Sequence, residues 1–407
     1  MSNYKKLKIL QINSVCGFGS TGRIATDLYK VIEEQGHECV IAYGRGEAPK
    51  NIKTIKIGSN MDNYIHVAKT RILDKHGFGS KKATLEFIKK VKEYNPDIIH
   101  LHNIHGYYIN IEILFNYLRK SGKKVIWTLH DCWAFTGHCS HFDYVGCYKW
   151  KNGCNSCKQK CEYPASNLLD NSKWNYGKKK ELFTSIDKNN LIIVTPSKWL
   201  ANLVRESYLN KYKIEVINNG IDLNIFKPVE SNFRKKYKIE DKKIILGVAS
   251  VWNERKGLNY FVDLSKQIDK NYQIVIVGIS EKQKKELPNN IIAITRTNNL
   301  NELVEIYSDS DIFFNPTLEE VLGLTNIESL ACGIPVITFD TGGSVETINE
   351  KCGVIVARDN KDLYKELEKN INKEFNIKEC IKQSSKFSKN EKSKLYIKFY
   401  ESLIAVN

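Results

Sequence analysis

The stretch Asn315–Glu346, NPTLEEVLGLTNIESLACGIPVITFDTGGSVE, decides the fold of this chain. It continues an apolar run, Ile312 to Phe314, whose length and aromatic content predict a buried strand. A loop then leads into a predicted helix, Leu324 to Cys332, which is followed by a second strand, Val336 to Phe339. The first amides of such a helix have no intrahelical acceptor. This end of the helix is therefore expected to attract a phosphate group.

Two carboxylates stand on either side of the helix start. Glu320 lies in the loop and Glu328 follows eight residues later, about one turn into the helix, which begins with the amides of Leu324, Thr325 and Asn326. The stretch contains no Lys or Arg, so a bound diphosphate would need cations from another part of the chain. The alternative is an ordinary strand, loop and helix whose two Glu side chains face solvent.

The pattern E-x-L-G-x-x-x-x-E, followed by ACGIPVI and TGG-x-x-E, resembles the donor-sugar motif of family 4 retaining glycosyltransferases with the GT-B fold. The resemblance implies that Glu320 contacts the transferred sugar and Glu328 binds the nucleotide ribose. The amides of Gly323, Leu324 and Thr325 would hold the diphosphate. Val321-Leu322 stands where the family more often has Gly-Phe, and this departure concerns the sugar more than the reaction.

Charge is unevenly distributed along the 407 residues, whose formal net charge is +16. Residues 1–200 hold 31 Lys and Arg against 17 Asp and Glu, and the remainder holds 31 against 29. This asymmetry favours an acidic partner for the first half: an anionic membrane surface, a diphosphate-bearing acceptor or nucleic acid. The alternative to an acidic partner is a general excess of solvated lysines along the whole chain. Nucleic acid is disfavoured because basic residues and aromatics do not alternate in any repeated pattern.

The chain has no apolar run of about 18 residues and no signal-peptide core at its start. We therefore expect a cytoplasmic protein that contacts the inner face of the cell membrane only peripherally, through its basic half.

A glycine-rich loop follows the first predicted strand, Lys8 to Asn13, and precedes a predicted helix from Arg23. Its Gly17, Gly19 and Gly22 are candidate donor-binding residues, because a strand, a glycine turn and a helix present backbone amides to a ligand. The alternative is that these glycines only allow close packing.

Histidines mark the ends of two further strands of the first domain. His100, His102 and His105 could suggest a metal, but a pair of hydrogen-bonded histidines on a buried strand explains the spacing better. His130 ends the strand Lys124 to Leu129, where open α/β sheets place ligands. The family resemblance implies that His130 contacts the donor sugar near the reacting carbon. A buried, hydrogen-bonded histidine is the alternative.

A cysteine-rich segment, residues 132–161, comes directly after His130. Four of its cysteines have spacings of eight, seven and three residues, which suits a structural zinc ion: Cys139, Cys147, Cys154 and Cys157. Disulfides and free thiols are the alternatives, and a cytosolic chain disfavours the first of these. The segment, together with the two residues before it (HDCWAFTGHC at 130–139), resembles an insertion in a polysaccharide-synthesising subgroup of the family.

The cations that the helix start lacks are found after the first strand of the second half. Arg255 can bind a phosphate with its forked guanidinium group, and Lys256 adds a point charge. Two adjacent cations in isolation are usually a solvated turn. By analogy with the family, Gly278 and the pair Arg296-Thr297 would reach the base of a nucleotide.

The predicted fold is α/β with the GT-B architecture, in which two Rossmann-like domains face each other across a cleft and a C-terminal helix returns to the N-terminal domain. The predicted boundaries are 1–216 for the acceptor domain, 217–240 for a linker, 241–388 for the donor domain and 389–407 for the returning helix.

The predicted function is retaining transfer of a sugar from a nucleotide-diphosphate donor to a saccharide or lipid-linked saccharide in cell-surface polysaccharide synthesis. The clamp of cations and amides replaces a divalent metal, so no cofactor is expected for catalysis. Two other classes stay open. One is an isomerase or phosphorylase on the same fold, and the other is a non-catalytic docking subunit of a polysaccharide-synthesis complex.

Overall fold

The computed structural model describes residues 6–358 and 362–405. The outer ends of the predicted segments, residues 1–5 and 406–407, lie outside the described residues. Within the described ranges, thirteen strands form two sheets in which every pair of neighbouring strands is parallel.

The strands in chain order are β1 (Lys8–Val15), β2 (Glu38–Arg45), β3 (Thr54–Lys56), β4 (Ile98–Leu101), β5 (Lys124–Thr128), β6 (Leu191–Thr195), β7 (Lys213–Val216), β8 (Lys243–Val248), β9 (Tyr272–Val277), β10 (Ile291–Ile294), β11 (Ile312–Asn315), β12 (Val336–Phe339) and β13 (Gly353–Val356).

The helices are α1 (Gly19–Glu34), α2 (Asn60–Leu73), α3 (Lys81–Tyr94), α4 (Ile111–Ser121), α5 (Ser172–Phe183), α6 (Lys198–Glu206), α7 (Phe233–Tyr237), α8 (Leu258–Ser265), α9 (Glu281–Glu286), α10 (Leu300–Ser308), α11 (Leu324–Ala331), α12 (Leu363–Ile371), α13 (Ile377–Ser385) and α14 (Lys389–Ala405).

The first sheet has seven strands in the order β3-β2-β1-β4-β5-β6-β7. Its central strands are continuous apolar runs, and all four residues of β4 are buried, because helices cover both faces of a parallel sheet. The chain builds outward from β1 in one direction through β2 and β3, and in the other direction from β4. The carboxyl ends of β1 and β4 therefore form the topological switch point at which such sheets bind ligands.

The second sheet has six strands in the order β10-β9-β8-β11-β12-β13. Its switch point lies between β8 and β11, for the same reason. The loop that carries Arg255 follows β8, and the loop that carries Glu320 follows β11. Sheet topology thus places these two loops side by side, although 64 residues separate Arg255 from Glu319 in the chain.

The chain folds as two units. One runs to Ile217 and includes the C-terminal residues from Ser393 onward, and the other is Asn218–Lys392. Apart from Ile217, the predicted linker, 217–240, lies in the second unit, and Phe226, Phe233 and Ile239 are buried in the core of that unit. Hydrophobic side chains hold this segment against the domain more strongly than its charged composition suggested.

The return of the C-terminal helix to the first unit is confirmed. Tyr396, Ile397 and Tyr400 of α14 are buried in the core that contains β1 and β2. The hydroxyl of Tyr400 lies 2.7 Å from His100 Nδ1, and that of Tyr396 lies 3.0 Å from Thr128 Oγ1. Each aromatic side chain of this size contributes about 2 to 3 kcal/mol when it is fully buried. Its hydroxyl hydrogen bonds also fix the register of the helix.

Candidate active site

Three loops meet at the carboxyl ends of β8, β11 and β12 in the second unit. The Leu318 amide donates to the Arg255 carbonyl at 2.8 Å, and the Gly343 amide donates to the Glu320 carbonyl at 2.8 Å. Gly342 is required here, since a Cβ on it would lie 2.0 Å from the Glu320 carbonyl oxygen. These backbone contacts fix the geometry of the loop that leads into α11.

Helix α11 begins without a side-chain cap. Gly323 precedes it in the left-handed conformation, with φ of +83°. The Asn326 amide donates to the Gly323 carbonyl at 3.1 Å, so the expectation that this amide is free was wrong. Since the first helical turn tightens, two amides remain, those of Leu324 and Thr325, and no described residue accepts from them. They keep the partial positive charge of a helix start.

Sequence reasoning missed a buried polar network that supports this helix start. Asn315 Nδ2 donates to Asn326 Oδ1 at 2.8 Å, and Asn326 Nδ2 donates to Thr347 Oγ1 at 3.0 Å. Thr317 Oγ1 donates to Asn315 Oδ1 at 2.6 Å. An asparagine that ends an apolar strand was the available signal, because a buried amide must find partners.

Ser344 was also missed. Its side chain is fully buried, and its Oγ has no hydrogen-bond partner among the described residues. This oxygen lies 3.5 Å from the position that a Cβ of Gly323 would occupy. A buried hydroxyl without a partner costs free energy, so it marks a place for a ligand oxygen beside the helix start.

The cations predicted to complete the site lie against the same loop. Arg255 Nη1 donates to the Glu319 carbonyl at 2.7 Å. Lys256 Nζ lies 2.5 Å from Glu320 Oε2, and these two side chains are about one-fifth exposed. The structure therefore brings Arg255, Lys256 and Glu320 together at the loop before α11. It pairs Lys256 with the carboxylate of Glu320, the residue that the family resemblance implies would contact the transferred sugar.

Glu328, on the first turn of α11 after the free amides, is half-buried. Tyr307 donates its hydroxyl hydrogen to Glu328 Oε2 at 3.1 Å. Burial, together with this carboxylate, raises the pKa of the Tyr307 hydroxyl well above its usual range, so the hydroxyl stays protonated and acts as the donor. Tyr307 thus holds Glu328 in one orientation.

The residues predicted to reach a nucleotide base have different surroundings. Gly278 is required by packing, since a Cβ would lie 1.6 Å from the Ala249 carbonyl oxygen at a φ of +89°. Arg296 is exposed and Thr297 is half-buried, both in the turn after β10. Their contact with a base stays a prediction.

The glycine loop after β1 is shorter than expected. Helix α1 begins at Gly19, four residues before the predicted start at Arg23, and the Gly17 amide donates to the Gly22 carbonyl at 3.2 Å. A Cβ on Gly17 would lie 2.6 Å from Pro49 Cγ, and one on Gly22 would lie 3.0 Å from Val15 Cγ2. Packing accounts for these two glycines. No atom approaches Gly19 within 4 Å, and its contact with a ligand stays a prediction.

His130 stands at the end of a chain of hydrogen bonds in the first unit. Gln11 Nε2 donates to the Ala25 carbonyl at 3.0 Å, so Gln11 Oε1 faces His102 Nε2, 3.0 Å away, as an acceptor. His102 therefore carries its proton on Nε2, and its Nδ1 accepts from His130 Nε2 at 3.1 Å. Neutral His130 keeps a lone pair on Nδ1. Burial lowers the pKa of His130 to about 4, which keeps this ring neutral near pH 7.

The hydrogen-bonded interpretation of His100 and His102 is confirmed. His100 lies between the Tyr400 hydroxyl and Thr128 Oγ1, each 2.7 Å from a ring nitrogen. His105 Nε2 lies 3.0 Å from Asp131 Oδ2, although off the line of a hydrogen bond. These groups lie at the carboxyl ends of β4 and β5, next to the switch point of the first sheet.

The four cysteines predicted to bind zinc, Cys139, Cys147, Cys154 and Cys157, line one small cavity. The Gly137 amide donates to Cys154 Sγ at 3.1 Å. All eleven cysteines are free thiols, so no disulfide forms in this segment. As placed, however, no three His, Cys, Asp or Glu side chains of residues 6–358 and 362–405 are arranged to hold a metal ion. The thiols share a cavity without converging on one point, and zinc stays a prediction.

No helix in the described ranges is both long enough and apolar enough to cross a membrane.

Two protein-family models match the chain. The model described as "Glycosyltransferase Family 4" matches residues 21–225, which is half of the chain. The chain belongs to glycosyltransferase family 4. The model described as "Glycosyl transferases group 1" matches residues 229–394, so the two matches fall on the two folded units of this family 4 chain. The resemblance drawn from the donor-sugar motif is confirmed.

Relatives and solved structures agree with this family 4 assignment. The O-antigen biosynthesis glycosyltransferase WclY of Escherichia coli is 30% identical over 156 residues, which are 36% of this chain and 42% of WclY. The chain spans only about half the length of two other curated relatives: the matched part is 55% of one relative and 57% of the other.

Among solved structures, sucrose-phosphate synthase from Thermosynechococcus elongatus has a TM-score of 0.75 at 17% identity, covering 99% of this chain and 100% of that one. The Anabaena protein HepE, solved in complex with UDP, has a TM-score of 0.68 at 13% identity, covering 97% and 100%. These likenesses confirm the GT-B fold of two Rossmann-like domains.

Proposed function

We propose that this chain transfers a sugar from a nucleotide-diphosphate sugar to a saccharide or lipid-linked saccharide acceptor, with retention of anomeric configuration and without a divalent cation. The acceptor belongs to cell-surface polysaccharide synthesis. The O-antigen role in the name of WclY supports this setting, and the UDP bound to HepE supports the donor class.

One observation carries the proposal: the side chains of Arg255 and Lys256 lie on the loop that leads into the uncapped start of α11. The bond that breaks joins an anomeric carbon to a diphosphate, so negative charge develops on the leaving diphosphate. Two cations and the Leu324 and Thr325 amides, fixed before the donor arrives, stabilise this charge without reorganisation. These two cationic side chains and two backbone amides take the place of a metal ion.

The remaining residues position the donor. Glu328, held by Tyr307, would accept hydrogen bonds from the ribose hydroxyls, and Ser344 Oγ would donate to a diphosphate oxygen. His130 would contact the transferred sugar, as the family resemblance implies. In a retaining reaction of this family, the leaving phosphate oxygen takes the acceptor proton, so the chain needs no general base of its own.

The first test is a panel of nucleotide sugars with different bases and sugars, each measured for its effect on thermal unfolding of the purified chain. A donor that binds the native state raises the unfolding temperature. The donor identified in this way is then followed for loss of its sugar, with and without a chelator. Transfer that continues in the chelator supports metal independence.

The Arg255→Ala variant should lose about two decades in turnover, because removal of one charge-stabilising donor costs about 3 kcal/mol. If no nucleotide sugar stabilises the chain, or if the variant turns over at the normal rate, the proposal fails. Conversion of the donor into another nucleotide sugar would point to an isomerase instead.

A further inference from the structure

Helix α2 turns polar side chains towards the interior and apolar side chains towards the solvent. Its buried residues are Asn63, His66 and Thr70, which are all polar. Its exposed residues include Met61, Tyr64 and Ile65, which are 65%, 71% and 61% exposed. An ordinary surface helix of a globular protein turns its apolar stripe inward, so α2 has an apolar stripe that the fold itself does not cover.

Hydrogen bonds hold the polar face inward. Asn63 Nδ2 donates to the Gly44 carbonyl at 3.0 Å. His66 Nε2 accepts from the amides of Gly77 and Gly79, each at 3.2 Å, and its Nδ1 lies 3.0 Å from Ser80 Oγ. The ring is thus fully paired, and α2 cannot rotate to bury its apolar face without breaking these bonds. The exposed stripe is therefore a fixed property of this unit.

The apolar surface continues beyond the helix. The Asn167 amide donates to the Arg71 carbonyl at 2.7 Å, and the Leu169 amide donates to the Ile72 carbonyl at 3.2 Å. These bonds place Leu168, which is exposed, beside the end of α2. The exposed Trp174 packs against Phe78 in the same region. We call the whole surface the α2 stripe: Met61, Tyr64, Ile65, Ile72, Leu168 and Trp174.

The segment that carries helix α2 has an excess of positive charge, and part of this charge lies beside the α2 stripe. Residues 60–82 contain five Lys and Arg against two Asp, and of these acids Asp74 is buried against His138. Burial and then the charges of Lys81 and Lys75 lower the pKa of Lys69, which indicates that these cations lie near one another. In the described part of the chain, Lys69, Lys75 and Lys81 form no ion pair. The Lys75 ammonium lies 4.8 Å from the centre of the Trp174 ring.

We propose that the α2 stripe docks this unit onto the surface of an anionic lipid bilayer. Apolar side chains bordered by Lys and Arg, with Tyr and Trp among them, are the composition of helices that lie in a membrane interface. Protein interfaces, in contrast, are depleted of Lys. The stripe lies on the bilayer and does not cross it. The proposal goes beyond sugar transfer, and it holds or fails without any donor.

The test is flotation of the full chain with neutral phosphatidylcholine vesicles and with vesicles of which roughly one-third of the lipid is anionic phosphatidylglycerol. We expect binding to the anionic vesicles only. The triple variant Met61→Ser/Tyr64→Ser/Ile65→Ser should partition at least about tenfold more weakly, since each lost apolar side chain removes buried area. The variant Lys81→Gln/Lys82→Gln should also weaken binding by about tenfold or more, with a weaker dependence on salt.

A matched control replaces exposed apolar residues of the other unit, in Val251→Ser/Ile355→Ser, and should bind like the unaltered chain. All variants should unfold at nearly unchanged temperatures, because the altered side chains are exposed. The proposal is overturned if anionic vesicles do not bind the chain, or if the stripe variant binds them as well as the control does. It is also overturned if the stripe instead drives concentration-dependent dimerisation without lipid binding.

Discussion

At the scale of single residues, the pair Lys256 and Glu320 is the most informative feature of the candidate site. The two side chains are partly buried and lie 2.5 Å apart, so each neutralises the other. A donor diphosphate carries more negative charge than one carboxylate and would compete for the ammonium group. Release of Glu320 from Lys256 would then leave this carboxylate facing the sugar. Under the proposed function, this one ion pair would couple binding of the diphosphate to positioning of the sugar.

The variant Glu320→Gln separates these two roles. It removes the competing charge, so we expect the nucleoside diphosphate alone to bind equally well or several-fold more tightly. Turnover should fall by about two decades, because the proposed contact with the transferred sugar would be lost. Calorimetry with the nucleoside diphosphate and initial rates with the full donor measure the two effects. The exposed Glu350→Gln serves as a control, and parallel losses in binding and turnover would contradict the coupling.

Gln11 acts on His130 only through His102, which makes it a positioning residue. In Gln11→Met the acceptor for His102 Nε2 is lost, so we expect the proton on His102, and consequently the one on His130, to distribute over both ring nitrogens. Nitrogen NMR of histidine-labelled protein reports the tautomers, with His130→Gln to assign the signal. An unchanged single tautomer on His130 would show that the relay does not set its protonation.

At the scale of elements, glycines at strand ends determine how closely the loops of the second unit can pack. Gly278 ends β9 in a left-handed conformation, against the carbonyl group of Ala249. Gly323 plays a different part, since it starts α11 without a side chain that could cap the amides. The first glycine serves the packing of the fold, and the second leaves the start of α11 without a side-chain cap.

Comparison of two glycine variants measures this packing. Gly278 and Gly36 both have φ above +80°, but Gly36 has no atom within 4 Å of an added Cβ. Gly36→Ala should therefore cost only about 1 to 2 kcal/mol in free energy of unfolding, the penalty of the left-handed backbone. Gly278→Ala should cost more than about 4 kcal/mol, because backbone atoms must move as well. Chemical denaturation gives both values, and equal losses would contradict the packing argument.

The cysteine-rich segment makes a separate prediction at this scale. If Cys139, Cys147, Cys154 and Cys157 bind zinc, the purified chain should contain about one equivalent, and a chelator should lower its unfolding temperature. Cys154→Ser/Cys157→Ser should abolish the metal. Cys161→Ser, an exposed cysteine of the same segment, should retain it. A zinc content below about half an equivalent in the unaltered chain would contradict the predicted zinc site.

At the scale of the whole molecule, the first unit is built around buried histidines that the fold keeps neutral. Burial lowers the pKa of His66 and His100 to about 3 and that of His130 to about 4, and it lowers the pKa of His76 and His102 well below the usual value of histidine. Below about pH 6.5 the unfolded chain takes up protons that the folded chain cannot accept. Folding of this unit is therefore linked to pH.

The free energy of unfolding should fall on acidification from pH 7 to pH 5. Each such histidine contributes a slope of up to about 1.4 kcal/mol per pH unit below its unfolded pKa. His138 acts in the opposite direction, since Asp74 and neighbouring groups outweigh burial and raise its pKa, but it is one group against five. Urea denaturation at the two pH values measures the effect. A midpoint at pH 5 equal to or above that at pH 7 would contradict this account.

Much of the fold could be predicted from the sequence because its signals are local. The apolar runs of β8, β11 and β12 and the glycines that follow them predicted a two-domain α/β chain, and the donor-sugar motif predicted its family. The candidate site was only partly predictable. His102, which pairs with Gln11, and Gly323, which lies beside Ser344, are distant from these residues in the chain, so the roles of Gln11 and Ser344 depend on which strands become neighbours.

At two places, the burial of side chains differs from what the local composition would suggest. The charged residues before β8 suggested a linker at 217–240, but Phe226 and Phe233 of this segment are buried in the second core. In helix α2 the polar residues point inward, where Asn63 and His66 form hydrogen bonds with backbone groups of neighbouring loops. Side-chain burial depends on what packs against an element, and the pattern of one element does not contain that information.

The sequence by itself determined the class of fold, the family and the position of the helix start at Leu324, since periodicity and motifs act over a few residues. The tertiary structure alone decided that Arg255 meets the Glu319 loop, that Lys256 pairs with Glu320 and that Tyr400 returns to His100. Parallel strands become neighbours only after long crossover connections. Contacts at their carboxyl ends therefore join residues that are far apart in the chain, and only the folded sheet specifies them.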